Sequence, residues 1–450
     1  MRKWFILLGL LLLSCQSKPE YLPVIDRALN DENFSHYVNF RFYPKDRDAL
    51  PIGVFDSGTG GLTVLEALLS SRLLDSEDYI YLGDQANMPY GNYPSEDKTD
   101  FLRELVVKDA LFLLEKKVKI IVVACNTATA YGLGDIRTLL EESRSGIKAI
   151  GVIDAGVTAA LNQLDKNENA AIGVLATVGT IASGGYENAL MNAAKEQGYR
   201  GTLRVISQGS MGFAEAVDGE PDFIDPEATA PRSLYRGPSQ DHPEFRIDTD
   251  LLDAYRFDFY ENHMLYDGSA QTPEHLQLNA PQNYARYHLL SLVEKLRRSD
   301  TPLELRCLIL GCTHYPYQTQ TIAAMLKELR DYKKDGEYVY RHLIAEDVVI
   351  IDPAIETARE VYTTLLKDKQ LSTRLAPSRV AFYISVPVED SLTAGRLDYP
   401  GRFSYEYKYG RNPGEFVNDV EIVPFSRKNT DEETRARISS LPRVGRLLSF

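Results

Sequence analysis

Two apolar segments of this chain end in the same way, and they constrain its fold more than any other feature. One is IIVVACNTAT, in which Cys125 follows the apolar run, and the other is LILGCTHYP, in which Cys312 does. Runs rich in leucine and β-branched residues predict buried parallel strands, so each cysteine lies where a strand gives way to a loop or helix. Open α/β sheets bind ligands at that edge. The pair therefore predicts two related α/β lobes that each offer one thiol to a substrate held between them.

The length and charge of the chain limit what it can be. Its 450 residues suffice for two or three domains, and a hydrophobic share of 44% is typical of a folded protein. The formal net charge is -14. Because phosphate binding relies on clustered Lys and Arg, this charge argues against nucleic acid as a partner.

The amino terminus has the pattern of an export signal. Two basic residues precede the apolar run Trp4–Leu13, which is too short to span a bilayer and is typical of a signal peptide. The segment LLSC, which ends at Cys15, resembles the lipobox of bacterial lipoproteins, in which the cysteine is acylated. We therefore expect residues 1–15 to be a lipoprotein signal peptide. The mature protein would be lipid-anchored through Cys15 on the periplasmic side of the cell envelope, and Gln16 is compatible with the outer membrane. The alternative is an ordinary signal peptide with an incidental cysteine.

Four cysteines in a chain of this length do not form a disulfide framework. Cys307 lies inside a predicted strand and is interpreted as a small buried hydrophobe.

From residue 51 onward, strands and helices alternate. Strands are predicted at 52–55, 79–82, 119–124, 149–153, 171–175, 202–207 and 305–310, and helices at 100–116, 183–197 and 284–298. The first lobe would consist of residues 51–152 and 318–366, and the second of residues 153–317. Residues 16–50 are interpreted as a tether with a short extended piece at 37–43. Residues 212–283 are interpreted as an insertion. Residues 367–450 are interpreted as a small β-rich appendage with alternating runs at 380–386 and 403–409.

Three short segments carry candidate chemistry. Asp56 ends a strand and begins the turn DSGTGG, whose backbone N–H groups can bind a carboxylate or phosphate, although a purely structural turn fits equally. Cys125 precedes a predicted helix, whose dipole favours a thiolate; a buried thiol beside a helix cap is the alternative. His314 follows Cys312 by two residues and can hydrogen-bond or protonate a neighbour. Neither cysteine has C-x-x-C spacing, which disfavours zinc.

Five segments in this order resemble the glutamate racemases of the cofactor-independent aspartate/glutamate racemase family. They are GVFDSGTGGLTVL, YLGD followed by MPYG, ACNTATA, IGVLATVGTIAS and LILGCTHYP. The resemblance covers about residues 51–209 and 284–366. It implies two α/β lobes with an active-site cleft between them, an acidic amino acid as substrate, no cofactor and no metal. His314 favours glutamate as the substrate over aspartate, because related aspartate racemases usually have a glutamate residue in place of this histidine.

The resemblance also implies which residues do the chemistry. Cys125 and Cys312 would be the two bases on opposite faces of the substrate α-carbon, with their protonation tuned by Asp56 and His314. The groups that hold the amino and carboxylate groups would be Asp56, Ser57, Tyr90, Gly91, Asn126, Thr127, Thr313 and His314. This set meets the physical demand, because an amino-acid α-hydrogen is a very weak acid and inversion needs a thiolate on one face and a thiol on the other.

The leading hypothesis is thus racemisation of an acidic amino acid, with L-glutamate to D-glutamate favoured, by a lipid-anchored envelope enzyme. Family members are generally cytoplasmic and supply D-glutamate for cell-wall peptidoglycan precursors, which contrasts with the predicted export. The alternative hypothesis is a non-catalytic envelope lipoprotein that binds an acidic amino acid or a wall-peptide fragment. The expected partners are that small molecule and the membrane, and a homodimer is left open.

Overall fold

The computed structural model describes residues 21–269, 272–388, 395–399 and 401–448. The predicted signal peptide and Cys15 lie outside these residues. Among the described helices, none combines the length and the apolar character needed to cross a membrane.

The first lobe is built on a parallel sheet. Within the described residues, its six strands are, from edge to edge, β16 (Val420–Pro424), β13 (Val380–Pro387), β2 (Tyr79–Gly83), β1 (Ile52–Asp56), β3 (Ile120–Val123) and β4 (Lys148–Gly151). Neighbouring strands are parallel except for β13 and β16. Every residue of β1, β2 and β3 is buried, which explains why their sequences are unbroken apolar runs.

The second lobe has a smaller sheet whose strands are all parallel. In the described part of the chain its order is β12 (Ile344–Ile351), β9 (Leu305–Gly311), β5 (Ala170–Ala176) and β6 (Leu203–Gly209). Cys307 is fully buried in β9, as the sequence interpretation expected. The mixed α/β class with mainly parallel sheets is confirmed.

Helices cover the faces of both sheets, and in the residues that the structure describes three small hairpins lie outside them. The helices are α1 (Pro23–Asn30), α2 (Leu62–Ser70), α3 (Thr99–Glu115), α4 (Asn126–Glu142), α5 (Val152–Leu161), α6 (Val178–Ala182), α7 (Gly185–Glu196), α8 (Phe213–Val217), α9 (Leu252–Tyr255), α10 (Pro281–Arg297), α11 (Thr319–Asp331), α12 (Pro353–Lys367), α13 (Tyr405–Gly410), α14 (Glu432–Ser439) and α15 (Val444–Leu447). The hairpins pair β7 (Met264–Ser269) with β8 (Thr272–Leu278), β10 (Lys333–Lys334) with β11 (Glu337–Tyr338), and β14 (Leu397–Tyr399) with β15 (Arg402–Phe403).

The prediction of a tether over residues 16–50 is wrong from residue 21 onward. Helix α1 inserts Val24, Ile25 and Ala28 into the core of the first lobe, where all three are fully buried. The hydroxyl of Tyr43 donates to the backbone carbonyl of Val118 at 2.7 Å. The predicted extended piece at 37–43 instead contains a short 3₁₀ helix at Phe40–Phe42. The proline-rich composition that suggested a tether hid the apolar face of this short helix.

The predicted lobe boundaries also need correction. Residues 318–352 do not belong to the first lobe, because β12 pairs with β9 in the second sheet. Only α12 of the assigned segment packs into the first lobe's core. The strand predicted at 149–153 ends at Gly151, and α5 begins at Val152. An apolar run cannot distinguish a strand from the buried helix that follows it.

Residues 212–283 fold onto the second lobe. Helix α10 begins at Pro281, inside the predicted insertion, and α8 stacks Phe213 on Tyr315 with ring centroids 4.3 Å apart. The side-chain amide of Asn283 accepts from the backbone N–H of Asp258 at 2.8 Å. Apolar side chains of the insertion, such as Ile247, are buried in the same core as α10.

The C-terminal extension is part of the first lobe rather than a separate appendage. Its strands β13 and β16 extend the first sheet at β2. The run predicted as a strand at 403–409 is mainly helix α13, which is capped by Ser404 through a bond from the backbone N–H of Tyr407. A local cap thus overrides the alternating pattern.

We predict that Ile25→Ala lowers the free energy of unfolding by about 2–5 kcal/mol, because it leaves a cavity in the core of the first lobe. Urea denaturation measures the change. Asp26→Ala, on the exposed face of the same helix, is the control and should change stability by less than about 0.5 kcal/mol. Equal stabilities of Ile25→Ala and wild type would mean that α1 does not belong to the folded unit.

Candidate active site

The carboxyl ends of the two sheets enclose a small cavity of about 20 Å³. Cys125 reaches it from the end of β3 and Cys312 from the end of β9. Of the ten predicted site residues, nine line the cavity, and these are Ser57, Tyr90, Gly91, Cys125, Asn126, Thr127, Cys312, Thr313 and His314. The tenth, Asp56, is fully buried directly behind them.

The thiol of Cys125 caps helix α4. Its Sγ accepts from the backbone N–H of Ala128 at 3.4 Å and lies 3.7 Å from the hydroxyl oxygen of Ser57. Burial raises the pKa of Cys125, and the nearby Asp56 raises it further, while these two hydrogen bonds oppose the rise. With its pKa raised, Cys125 is held as a neutral thiol near neutral pH.

Asp56 organises the turn that follows β1. Its Oδ2 accepts from the backbone N–H groups of Gly58 at 3.1 Å and Gly61 at 3.0 Å, and its Oδ1 accepts from the hydroxyl of Thr313 at 3.3 Å. Burial raises the pKa of Asp56, whereas the charge of His314 and the two N–H groups lower it. The carboxyl thus links the first-lobe turn to the second-lobe loop that carries Cys312.

The glycines of this turn permit a close approach between the lobes. A Cβ atom at Gly60 would lie 2.5 Å from Cε1 of His314 and 2.6 Å from Oγ1 of Thr313. Any larger residue at this position would push the loop after β9 away from the first lobe. The turn predicted to be either an anion site or a structural turn is thus a contact surface for the loop that carries Cys312.

Cys312 is linked to a buried ion pair. Its Sγ lies 3.5 Å from Nδ1 of His314, whose Nε2 lies 3.1 Å from Oδ2 of Asp218. Burial would lower the pKa of His314, but the charge and hydrogen bond of Asp218 and the contact with Cys312 outweigh it and raise that pKa well above its ordinary value. An imidazolium here can stabilise negative charge that develops on the Cys312 sulfur.

The hydroxyl of Tyr90 is held between two buried carboxyl groups. The hydroxyl lies 2.5 Å from Oδ2 of Asp84 and 2.7 Å from Oδ2 of Asp109. One hydroxyl proton cannot serve both carboxyl groups, so one of these must itself be protonated. Burial raises the pKa of both carboxyl groups, but hydrogen bonds from Ser385 and Asn87 oppose the rise at Asp84, whereas the charge of Asp84 adds to the rise at Asp109. We therefore expect Asp109 to hold the shared proton.

Side chains at the start of α4 are held from the second lobe. The hydroxyl of Tyr186 donates to Oδ1 of Asn126 at 2.6 Å, which leaves the amide nitrogen to donate to a substrate. The hydroxyl of Thr127 lies 3.0 Å from that of Thr177 and 2.9 Å from that of Thr180. These bonds fix the helix N-terminus, a favourable place for a carboxylate.

Sequence reasoning missed Asp218 and Arg437. Asp218 follows α8 in the segment interpreted as an insertion, and Arg437 belongs to α14 in the C-terminal extension. Oδ1 of Asp218 lies 2.5 Å from Nη2 of Arg437. No spacing rule links residues 218, 314 and 437, so the sequence carries no signal for this contact.

We predict that Asp109→Asn gains stability relative to wild type as pH rises. Above a pH of about 4 an unfolded aspartate ionises, while the folded Asp109 with its raised pKa keeps its proton, so folding becomes less favourable. An asparagine cannot ionise. Between pH 5 and 7, the unfolding free energy of Asp109→Asn should therefore rise relative to that of wild type by up to about 1.4 kcal/mol per pH unit. Urea denaturation at several pH values measures this difference. A constant difference would assign the proton to Asp84 instead.

Comparisons with known proteins identify the family. A glutamate racemase from Oceanobacillus iheyensis is 31% identical over 323 residues, which cover 72% of this chain and 81% of that protein. One from Enterococcus faecalis is 45% identical over 167 residues, or 37% of this chain and 54% of that protein. The crystal structure of a glutamate racemase isoform from Bacillus anthracis covers 74% of this chain and 88% of its own, with 28% identity and a TM-score of 0.48. No protein-family model matches. The identity to the Oceanobacillus protein, sustained over most of both chains, shows that this chain belongs to the glutamate racemase family of amino-acid isomerases.

Proposed function

We propose that this protein racemises glutamate by moving a proton between Cys125 and Cys312 across the substrate α-carbon. One observation carries the proposal: thiols from the two lobes line the same small cavity. Inversion at carbon requires removal of a proton from one face and its replacement from the other. A single thiol could not do both without returning the original enantiomer.

The environments of the two thiols suit opposite roles. Cys312 is supported by the His314–Asp218 pair and takes the α-proton as a thiolate. Cys125, whose pKa is raised by burial, donates its proton to the other face as a thiol. After one turnover Cys312 is the thiol and Cys125 the thiolate, which is the state required for the reverse direction.

The substrate carboxylate would lie at the N-terminus of α4, within reach of the amide nitrogen of Asn126. The hydroxyl of Ser57 and the backbone of Gly91 line the same cavity. These fixed donors stabilise the charge that develops on the carboxylate as the α-proton leaves. Glutamate is favoured because the relatives named above are glutamate racemases.

A cavity of about 20 Å³ holds roughly one water molecule. Glutamate therefore enters only when the two lobes move apart and the cavity widens. Closure over the substrate excludes water, which strengthens the electrostatic interactions inside and prevents loss of protons to solvent.

We expect Cys125→Ser and Cys312→Ser each to lower kcat for racemisation about 10²- to 10⁴-fold, measured by circular dichroism with L- and D-glutamate. In D₂O, each variant should still exchange the α-hydrogen of one enantiomer without inverting it, because one base remains. Cys307→Ser, which alters a buried thiol outside the cavity, is the control.

No racemisation of glutamate or aspartate by the reduced wild-type protein would overturn the proposal. Exchange of both enantiomers by a single-cysteine variant would overturn the division of roles. Tight binding without any deuterium exchange would instead identify a non-catalytic binding protein.

We also propose that the protein is exported and lipid-anchored at Cys15, on the basis of the lipobox-like segment LLSC. In a bacterial host, the full-length chain should incorporate an alkyne-tagged fatty acid and fractionate with membranes. Cys15→Ser should lose both properties. An untagged wild-type chain in the cytosolic fraction would contradict the anchor and leave the proposed reaction unaffected.

A further inference from the structure

Arg437 reaches the active site from the C-terminal extension, beyond the five sequence segments that resemble the family. It lies on α14, which is anchored in the first lobe's core by the neighbouring Ile438. The Arg437 side chain is only 9% exposed. A buried guanidinium is costly unless its N–H groups are paired, so its partners show what it does.

The partners of Arg437 come from both lobes. Nη2 lies 3.1 Å from Oγ1 of Thr59, in the turn after β1, and 2.5 Å from Oδ1 of Asp218. Nη1 donates to the backbone carbonyl of Val217, beside Asp218 in the segment packed on the second lobe. One guanidinium thus joins the lobes directly behind the cavity.

Through Asp218 and His314, Arg437 is connected to the sulfur of Cys312. Oδ2 of Asp218, the oxygen not paired with Arg437, lies 3.1 Å from His314, whose other ring nitrogen lies 3.5 Å from Sγ of Cys312. Arg437 therefore contacts neither the cavity nor the substrate position, but it fixes the group that orients His314.

Asp218 needs this cation because most of its ionisable neighbours are acidic. The groups that face it, besides His314 and Arg437, are Asp56, Glu215, Glu220, Glu433 and the phenols of Tyr81 and Tyr317. Burial raises the pKa of Asp218, but Arg437 first and His314 second bring it below the ordinary value. Without Arg437, Asp218 would take up a proton at a higher pH and its pairing with His314 would weaken.

We propose that Arg437 is a positioning residue of this enzyme: it holds Asp218 against His314 and forms a clasp between the two lobes behind the cavity. The first role rests on the racemisation proposed above, and the second does not. The C-terminal extension, which carries none of the five motifs, thereby contributes a residue to the support of the site.

The kinetic test compares Arg437→Met with Arg437→Lys and with Arg435→Met, a control on the same helix whose guanidinium contacts backbone carbonyls of its own segment. Arg437→Met should lower kcat/KM roughly 10- to 100-fold through misplacement of His314. It should also move the acid limb of the pH profile of kcat/KM to higher pH. Arg437→Lys should restore most of both, and Arg435→Met should match wild type.

The clasp is tested without turnover. Alkylation of Cys312 by iodoacetamide is followed by peptide mass spectrometry, with the buried Cys307 as internal reference. Arg437→Met should raise the Cys312 rate severalfold because the lobes separate more often. Thr59→Val, which removes only the first-lobe partner, should raise the rate less and leave the acid limb in place. It also serves as the clasp variant if Arg437→Met does not fold.

The outcomes separate the two proposals. If the wild-type protein racemises glutamate, but Arg437→Met and Arg435→Met have the same pH profile and the same alkylation rate of Cys312, the role of Arg437 is overturned. The proposed function then still stands. A wild-type protein without turnover overturns the function, while the alkylation of Cys312 still decides the clasp. Arg437→Met could instead lose activity while the acid limb of the pH profile and the alkylation rate of Cys312 stay as in wild type. If Arg437→Lys also fails to restore activity, Arg437 has a merely structural role.

Discussion

The geometry of parallel sheets is the constraint on which this site depends. All strands of a parallel sheet end at the same edge, so residues far apart in sequence that follow such strands meet there. Asp56 ends one strand of the first sheet, Asp84 and Cys125 follow two others, and Cys312 follows a strand of the second sheet. Because the two carboxyl edges face one cavity, two thiols separated by nearly 190 residues line the same space. Neither lobe alone provides both.

Burial shifts the pKa values of the carboxyl and thiol groups at the site, and each buried carboxyl group needs hydrogen-bond donors or a nearby positive charge. The cavity and the layer behind it hold Asp56, Asp218, Asp84 and Asp109 away from water, and each carboxyl is matched by protons or charge. Asp218 has a cation on either side, Asp56 has backbone N–H groups, and the Asp84–Asp109 pair shares protons with Tyr90. A buried carboxylate without such partners would protonate instead. The same burial keeps Cys125 neutral.

The segments beyond the family resemblance support the site on two sides. In the C-terminal extension, the hydroxyl of Ser385 donates to Asp84 at 2.6 Å and Arg411 donates to the side chain of Asn87 at 2.7 Å, which steadies the loop before Tyr90. On the other side, α14 delivers Arg437 to Asp218. The extension could form neither contact as a separate appendage, since both depend on the pairing of β13 with β2 and the burial of Ile438.

The sequence by itself determined the α/β class and the strands that end at Asp56 or just before Cys125 and Cys312, because buried parallel strands are local patterns. Cys125, Cys312 and His314 could be predicted from the sequence because they lie just after such strands. The motifs that resemble the family added most of the other residues that line the cavity. Only the tertiary structure decided that residues 21–50 pack into the core, that β12 joins the second sheet, and that Asp218 and Arg437 meet behind His314. Those contacts join segments separated by dozens to hundreds of residues through buried charge pairing, and no local periodicity encodes such a pairing.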